Sequence, residues 1–151
     1  MNQSLIYQVM KKIQDVILFQ LEQASKAFKQ YSQRVMDKEG FGITTEQWVL
    51  LKIIEEANEL SQKELAQKST RDPASITRTL DILEKKGLIE RLRIPGNRRT
   101  YNITLKKEGQ ELINQKLDTV IRMREKSLDG FSENEIKQLS GFLTRIKINA
   151  Q

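Results

Sequence analysis

Ser61-Gln62-Lys63-Glu64-Leu65-Ala66-Gln67-Lys68 leads into Asp72-Pro73-Ala74-Ser75-Ile76-Thr77-Arg78-Thr79-Leu80-Asp81-Ile82-Leu83-Glu84-Lys85-Lys86-Gly87, and the architecture turns on these residues. Ser61 with Glu64 three residues on is a capping box, in which each side chain satisfies a backbone donor left open at a helix start. Asp72 caps a second helix, Pro73 suits its first position because the missing N–H has no helical partner there, and Gly87 ends it. At about 100° per residue, Ile76, Leu80 and Leu83 fall on one side of this second helix and Ala74, Arg78 and Lys85 on the other. One side packs and the other is presented. Ser75 and Thr77 flank the presented side, so small hydroxyls and one arginine stand where a helix entering a major groove meets base edges. Taken alone, the pattern also fits an ordinary amphipathic surface helix.

The residues after Gly87 favour the groove-entering helix. Leu88-Ile89-Glu90-Arg91-Leu92-Arg93-Ile94 has the composition of a strand, Pro95-Gly96-Asn97 reads as a turn, and Thr100-Tyr101-Asn102-Ile103-Thr104-Leu105 returns as the partner, which puts Arg98 and Arg99 at the hairpin tip. Between Ser61 and Lys107 stand twelve Lys and Arg against five acids, a local excess of seven, so the remainder of the chain carries −1 of the total of +6. A polyanion-binding face needs such segregation, whereas a solvated charged surface does not. The stretch is therefore a helix-turn-helix with a basic wing. Its candidate DNA-contacting residues are Ser61, Thr70, Ala74, Ser75, Thr77, Arg78, Asn97, Arg98 and Arg99.

These residues carry a family resemblance. Arg78-Thr79-Leu80-Asp81, Leu83-Glu84-Lys85-Lys86-Gly87-Leu88-Ile89-Glu90-Arg91, Asn97-Arg98-Arg99 and Ile103-Thr104-Leu105 resemble the winged-helix segment of the MarR (multiple antibiotic resistance regulator) family of bacterial transcription factors. The resemblance implies a homodimer that binds a pseudo-palindromic operator in double-stranded DNA, usually as a repressor, and in many members a small organic ligand that releases the DNA. It also implies a pocket between the dimerising helices and the winged region, which Phe28, Tyr31, Phe41 and Trp48 could line here. For each of these four, an ordinary place in the core is the competing reading. The resemblance further implies that Arg99 enters a minor groove. The family's wing motif begins with Asp, which pairs with the tip arginine, and Asn97 exchanges that ion pair for a neutral hydrogen bond.

The rest of the chain supplies the frame. Its 151 residues suffice for one domain with a core of its own, or one protomer of a symmetric unit. Residues 4 to about 37 read as a single long helix, with Ile6, Val9, Met10, Ile13, Val16, Ile17, Leu21, Ala24, Phe28, Tyr31 and Val35 recurring at three and four. Thr44 with Gln47 makes a second capping box for a helix to about Ala57, a helix over 107 to about 128 follows the wing, and Ser132 with Glu135 makes a third capping box for the final helix. The expected fold is mainly α: a winged helix-turn-helix region at 44–105 within a single domain, with dimerisation helices at 1–37 and 107–151. A monomer would leave these apolar stripes open, so a two-fold dimer is expected to cover them.

Cysteine and histidine are both absent, which excludes disulfides, thiol switches, cysteine nucleophiles, histidine bases and the usual zinc sites. No catalytic residues, metal or cofactor are expected. The longest apolar run near the N-terminus, Val16-Ile17-Leu18-Phe19, is too short for a signal-peptide core or a membrane span, so a cytoplasmic location without a membrane partner is expected. The reading that stands beside a DNA-binding regulator is a winged-helix module whose basic surface meets an acidic protein. An enzyme is a distant third, because no paired acid–base arrangement is evident.

Overall fold

The computed structural model describes residues 12–151, and at 97–100 it describes the backbone alone. The chain forms two compact units, Met1–Asp118 and Thr119–Gln151, divided within one helix. In the first unit a single 3-10 turn, Ile13–Asp15, precedes α1 (Ile17–Lys38); α2 (Thr45–Ala57), β1 (Leu60–Ser61), α3 (Gln62–Ser69), α4 (Pro73–Lys85), β2 (Ile89–Ile94), β3 (Asn97–Leu105) and the first part of α5 (Lys107–Ser127) come after it.

Each helix of the winged region starts where its sequence says it should. Thr44 and Gln47 cap α2 reciprocally, Ser61 and Glu64 do the same for α3, and the Asp72 carboxylate accepts from the Ser75 amide at 2.8 Å at the start of α4. Gly87 stops α4 with φ +70. Its amide donates to the Glu84 carbonyl at 2.9 Å and that of Leu88 to the Leu83 carbonyl at 3.0 Å, the paired bonds of a left-handed helix end. The core lies beneath these helices. Leu50, Leu51, Ile54, Leu65, Ile76, Leu80, Leu83, Ile89, Ile103 and Ile113 are fully buried, so α2 to α5 and the sheet share one apolar interior.

The sheet is antiparallel with order β1-β3-β2, and Leu60↔Ile103 and Ile89↔Leu105 set its register. β1 was not foreseen, because two residues carry no alternation to read. The wing also differs from expectation. Asn97 is not a turn residue: it opens β3 opposite Ile94, so the loop is only Pro95-Gly96, with Gly96 at φ +83. Arg93 pairs with Tyr101 while Ile94 pairs with Asn97, so β3 carries three extra residues, 98–100, at a bulge. Arg98 and Arg99 thus belong to a bulged strand rather than to the turn.

The long N-terminal helix is shorter than its periodicity suggests. Its portion over 4–11 lies outside the described residues. Val16 is extended (φ −73, ψ 115) and separates the 3-10 turn from α1, whose 22 residues span about 33 Å. Ile13, Ile17 and Leu18 are 61%, 59% and 57% exposed. An apolar stripe holds a helix only where something covers it, and among the described residues nothing covers this one.

In the second unit the remainder of α5 turns at Gly130 (φ +84) into α6 (Glu133–Asn149), whose start is capped reciprocally by Ser132 and Glu135. Leu128, Phe131, Leu139, Phe142, Leu143 and Ile148 are exposed there. No helix among the described residues is long and apolar enough to cross a membrane.

Where α5 begins, a Cβ on Gly109 would lie 2.2 Å from the Leu88 carbonyl oxygen and 3.1 Å from the Leu105 side chain. The Leu88 backbone is anchored by its bonds to Leu83 and Lys106. Gly109→Ala is expected to destabilise the protein by about 1–3 kcal/mol, the usual cost of overpacking, in spite of alanine's better helix propensity. Chemical denaturation followed by Trp48 fluorescence measures it.

Candidate nucleic-acid interface

The seam of α4 decides what the protein presents. With Ile76, Leu80 and Leu83 at 0% exposure, the opposite side of the helix carries Ala74, Arg78 and Lys85 outward, all exposed, and at its two edges Thr77 is exposed and Ser75 half-buried. Arg78 forms no ion pair among the described residues, so its guanidinium is open to an outside acceptor.

The other candidates sit around this helix. Thr70 occupies the tight turn between α3 and α4 in the left-handed region (φ 54, ψ 34), an uncommon place for a β-branched residue, and is exposed. The Ser61 hydroxyl is taken by the cap: it donates to the Glu64 carboxylate at 2.7 Å and accepts from the Glu64 amide at 3.2 Å. The bonds from Ser61 hold the Glu64 carboxyl below the usual carboxylate range, that from its backbone amide contributing most. Asn97, Arg98 and Arg99 have their backbone in β3, and their side chains lie outside the described residues.

Three arrangements were not foreseen. Arg91 in β2 reaches back onto α4: its Nε donates to Glu84 Oε2 at 3.0 Å, its Nη2 to Glu84 Oε2 at 2.5 Å and to Asp81 Oδ1 at 2.7 Å, and its amide to Glu84 Oε1 at 3.3 Å. This clamp ties the wing to α4. Period-two alternation puts Arg91 on the same face of β2 as Ile89, and Asp81 and Glu84 share one side of α4, so the pattern was present but linked only by tertiary proximity. Gln62, at the start of α3, donates to the Thr77 hydroxyl across the turn. A groove of about 610 Å³ is lined by Gln62, Lys63, Gln67, Thr70, Pro73 and Tyr101, with the Arg93 guanidinium 6.0 Å from the centre of the Tyr101 ring.

The four aromatic candidates are not gathered in one pocket. Phe41 and Trp48 are core residues, 4% and 3% exposed, with rings edge to face at 5.5 Å. Phe28 on α1 is 40% exposed and lines a cavity of about 200 Å³ with Lys29, Glu46, Val49 and Arg71, where Lys29 and Arg71 both pair with Glu46. Tyr31 is half-buried on the same helix. The Lys29 bond, more than the Arg71 charge, keeps the Glu46 carboxyl low.

This geometry has counterparts among known proteins. The MarR family profile matches residues 43–101, from the start of α2 into the wing. Over 132 residues the chain is 31% identical to the uncharacterised HTH-type transcriptional regulator YhbI of Bacillus subtilis, covering 84% of this chain and 86% of that one.

The chain belongs to the MarR family.

As a member it is a transcriptional regulator and not an enzyme. Solved structures of similar proteins share the fold. A probable transcriptional regulator from Pseudomonas aeruginosa superposes with a TM-score of 0.81 at 27% identity, covering 89% of this chain and 99% of that one. The MarR-family regulator Sco3205 of Streptomyces coelicolor, solved in complex with DNA, has the same fold with a TM-score of 0.83 at 18% identity, covering 89% of this chain and 86% of that one.

The ion pairs of this MarR-family protein make its stability acid-sensitive. Glu84 is held below the ordinary carboxylate range mainly by its Arg91 bond, and Glu46 mainly by its Lys29 bond. Because the folded values are depressed, the unfolded chain binds more protons in the window below about pH 4.3, so this stability is present above the window and lost as pH falls through it. Thermal melts between pH 7 and pH 3 should show Glu84→Gln melting below wild type at neutral pH and converging with it in acid.

Proposed function

We propose that this MarR-family regulator is a repressor that occupies a pseudo-palindromic operator as a homodimer and leaves it when a small organic acid binds. The observation that carries the reading is the division of α4 into a fully buried apolar side and an exposed side bearing a free Arg78, set within a segment that holds an excess of seven positive charges. A basic patch alone would suit an acidic protein partner equally well. A rigidly presented helix with an open arginine and small side chains near its start suits base edges in a major groove. The bulged wing brings Arg98 and Arg99 beyond the regular ladder, where a flanking minor groove favours cations. The exposed apolar residues of α6 and of the start of α1 favour a second copy as their cover.

Selection from random duplexes should return an inverted repeat whose half-sites lie about one helical turn apart, bound with steep salt dependence. Arg78→Ala should cost about 1–3 kcal/mol and relax preference at particular base pairs. Arg99→Ala should weaken binding, lower the salt slope by about one and shift preference mainly between A·T-rich and G·C-rich flanks. Equal loss on every sequence from both variants would favour the acidic-partner reading instead.

The effector half of the proposal rests on the cavity at Phe28, where an exposed ring stands beside the cations Lys29 and Arg71. Those cations are neutralised by Glu46, so an aromatic carboxylate would replace one carboxylate by another. Titrating benzoate-type acids against the operator complex should release DNA from wild type, and Lys29→Ala should raise the concentration required; unchanged release by the variant would move the effector site elsewhere.

A further inference from the structure

Thr77 stands one residue before Arg78 on the exposed side of α4, yet its hydroxyl is engaged within the protein twice. It donates to the Pro73 carbonyl at 2.9 Å and accepts from Gln62 Nε2 at 2.7 Å. Pro73's carbonyl can only accept, so the single hydroxyl hydrogen goes there, and the Gln62 amide takes one of the two lone pairs. A bond from a helical Ser or Thr to the carbonyl four residues back is ordinary, and Thr79, Ser127 and Thr144 make the same one. The second bond distinguishes Thr77. It arrives from the first residue of another helix and crosses the turn, so it fixes the side chain from outside α4.

With Oγ1 pinned between two partners, χ1 has one setting and the methyl group has one direction. The residue is exposed, and the methyl is the part of its side chain that no hydrogen bond engages. Among the groups that base pairs display in the major groove, the thymine C5-methyl is the apolar one. We infer that Thr77 reads a thymine through its methyl group, and that Gln62 is the positioning residue that turns this methyl outward. The inference rests on the operator reading and deepens it: it assigns the chemistry of one base contact and gives Gln62 a part in specificity.

The test removes one methyl at a time from either side of the contact. In the operator recovered by selection, each thymine is replaced in turn by deoxyuridine, which lacks only the C5-methyl, and affinity is measured for wild type, Thr77→Ser, Thr77→Val and Gln62→Ala, each checked for an unchanged melting transition. Wild type should have one thymine per half-site whose replacement weakens binding roughly fourfold, the size expected for one methyl withdrawn from water. Thr77→Ser keeps the hydroxyl and loses the methyl, so it should bind the unmodified operator as weakly and be indifferent to deoxyuridine there. Thr77→Val keeps a methyl but loses the bond from Gln62, so its sensitivity should be blunted and not abolished. Gln62→Ala should blunt it too. A Thr77→Ser protein with full sensitivity, a Gln62→Ala protein with undiminished sensitivity, or a wild type for which no thymine matters would each overturn the inference while leaving operator binding intact. A wild type that selects no duplex at all would remove the operator reading, and this inference with it.

Discussion

A helix has one rotational setting in which Ile76, Leu80 and Leu83 all reach 0% exposure, and at about 100° per residue that setting leaves Ala74 and Arg78 no place but the outer side of α4, with Thr77 at its flank. The direction in which α4 presents its exposed side is thus a consequence of core packing, not of the charges upon it. Truncating any of the three leaves a cavity under the helix, at about 2–5 kcal/mol for leucine to alanine. Such a change would loosen the presentation of Arg78 without touching it.

A rotational setting alone does not aim a wing. β2 and β3 extend past the core, and β2 could pivot on its buried end at Ile89. The Arg91 clamp opposes this by seating one guanidinium on two carboxylates of α4. Surface ion pairs contribute little to stability on average, but a forked, multiply bonded arginine fixes geometry more strongly than its net energy suggests. It also accounts for acids within a segment that otherwise gathers cations: Asp81 and Glu84 face Arg91 and so leave the outward side of the helix positive.

The features legible in the sequence were those whose causes are local. Three capping boxes, the Asp72-Pro73 start, the Gly87 stop and the apolar seam of α4 each depend on residues within a turn or two of one another, and each stands where periodicity and capping chemistry place it. The misread features depend on distant partners. β1 exists because Leu60 meets Ile103, over forty residues away. The wing loop is shorter than Pro95-Gly96-Asn97 because the ladder recruits Asn97 against Ile94. The N-terminal stripe has helical spacing at Ile13 and Ile17, but spacing cannot say whether anything covers it.

The same division runs through the site. Arg78 could be read from the helix alone, since its exposure follows from the burial of Leu80 two positions away. Thr77 could not. Counting hydroxyls on the presented side suggests a hydrogen-bonding group, but Gln62, fifteen residues earlier, occupies that hydroxyl and changes which atoms remain to meet an outside molecule. A residue's type gives the set of contacts it can make, and its neighbours in the fold subtract from that set. At Thr77 the subtraction takes away the donor and one lone pair, so a side chain that reads as a hydrogen-bond donor in the sequence is left with one lone pair and a methyl to meet an outside molecule.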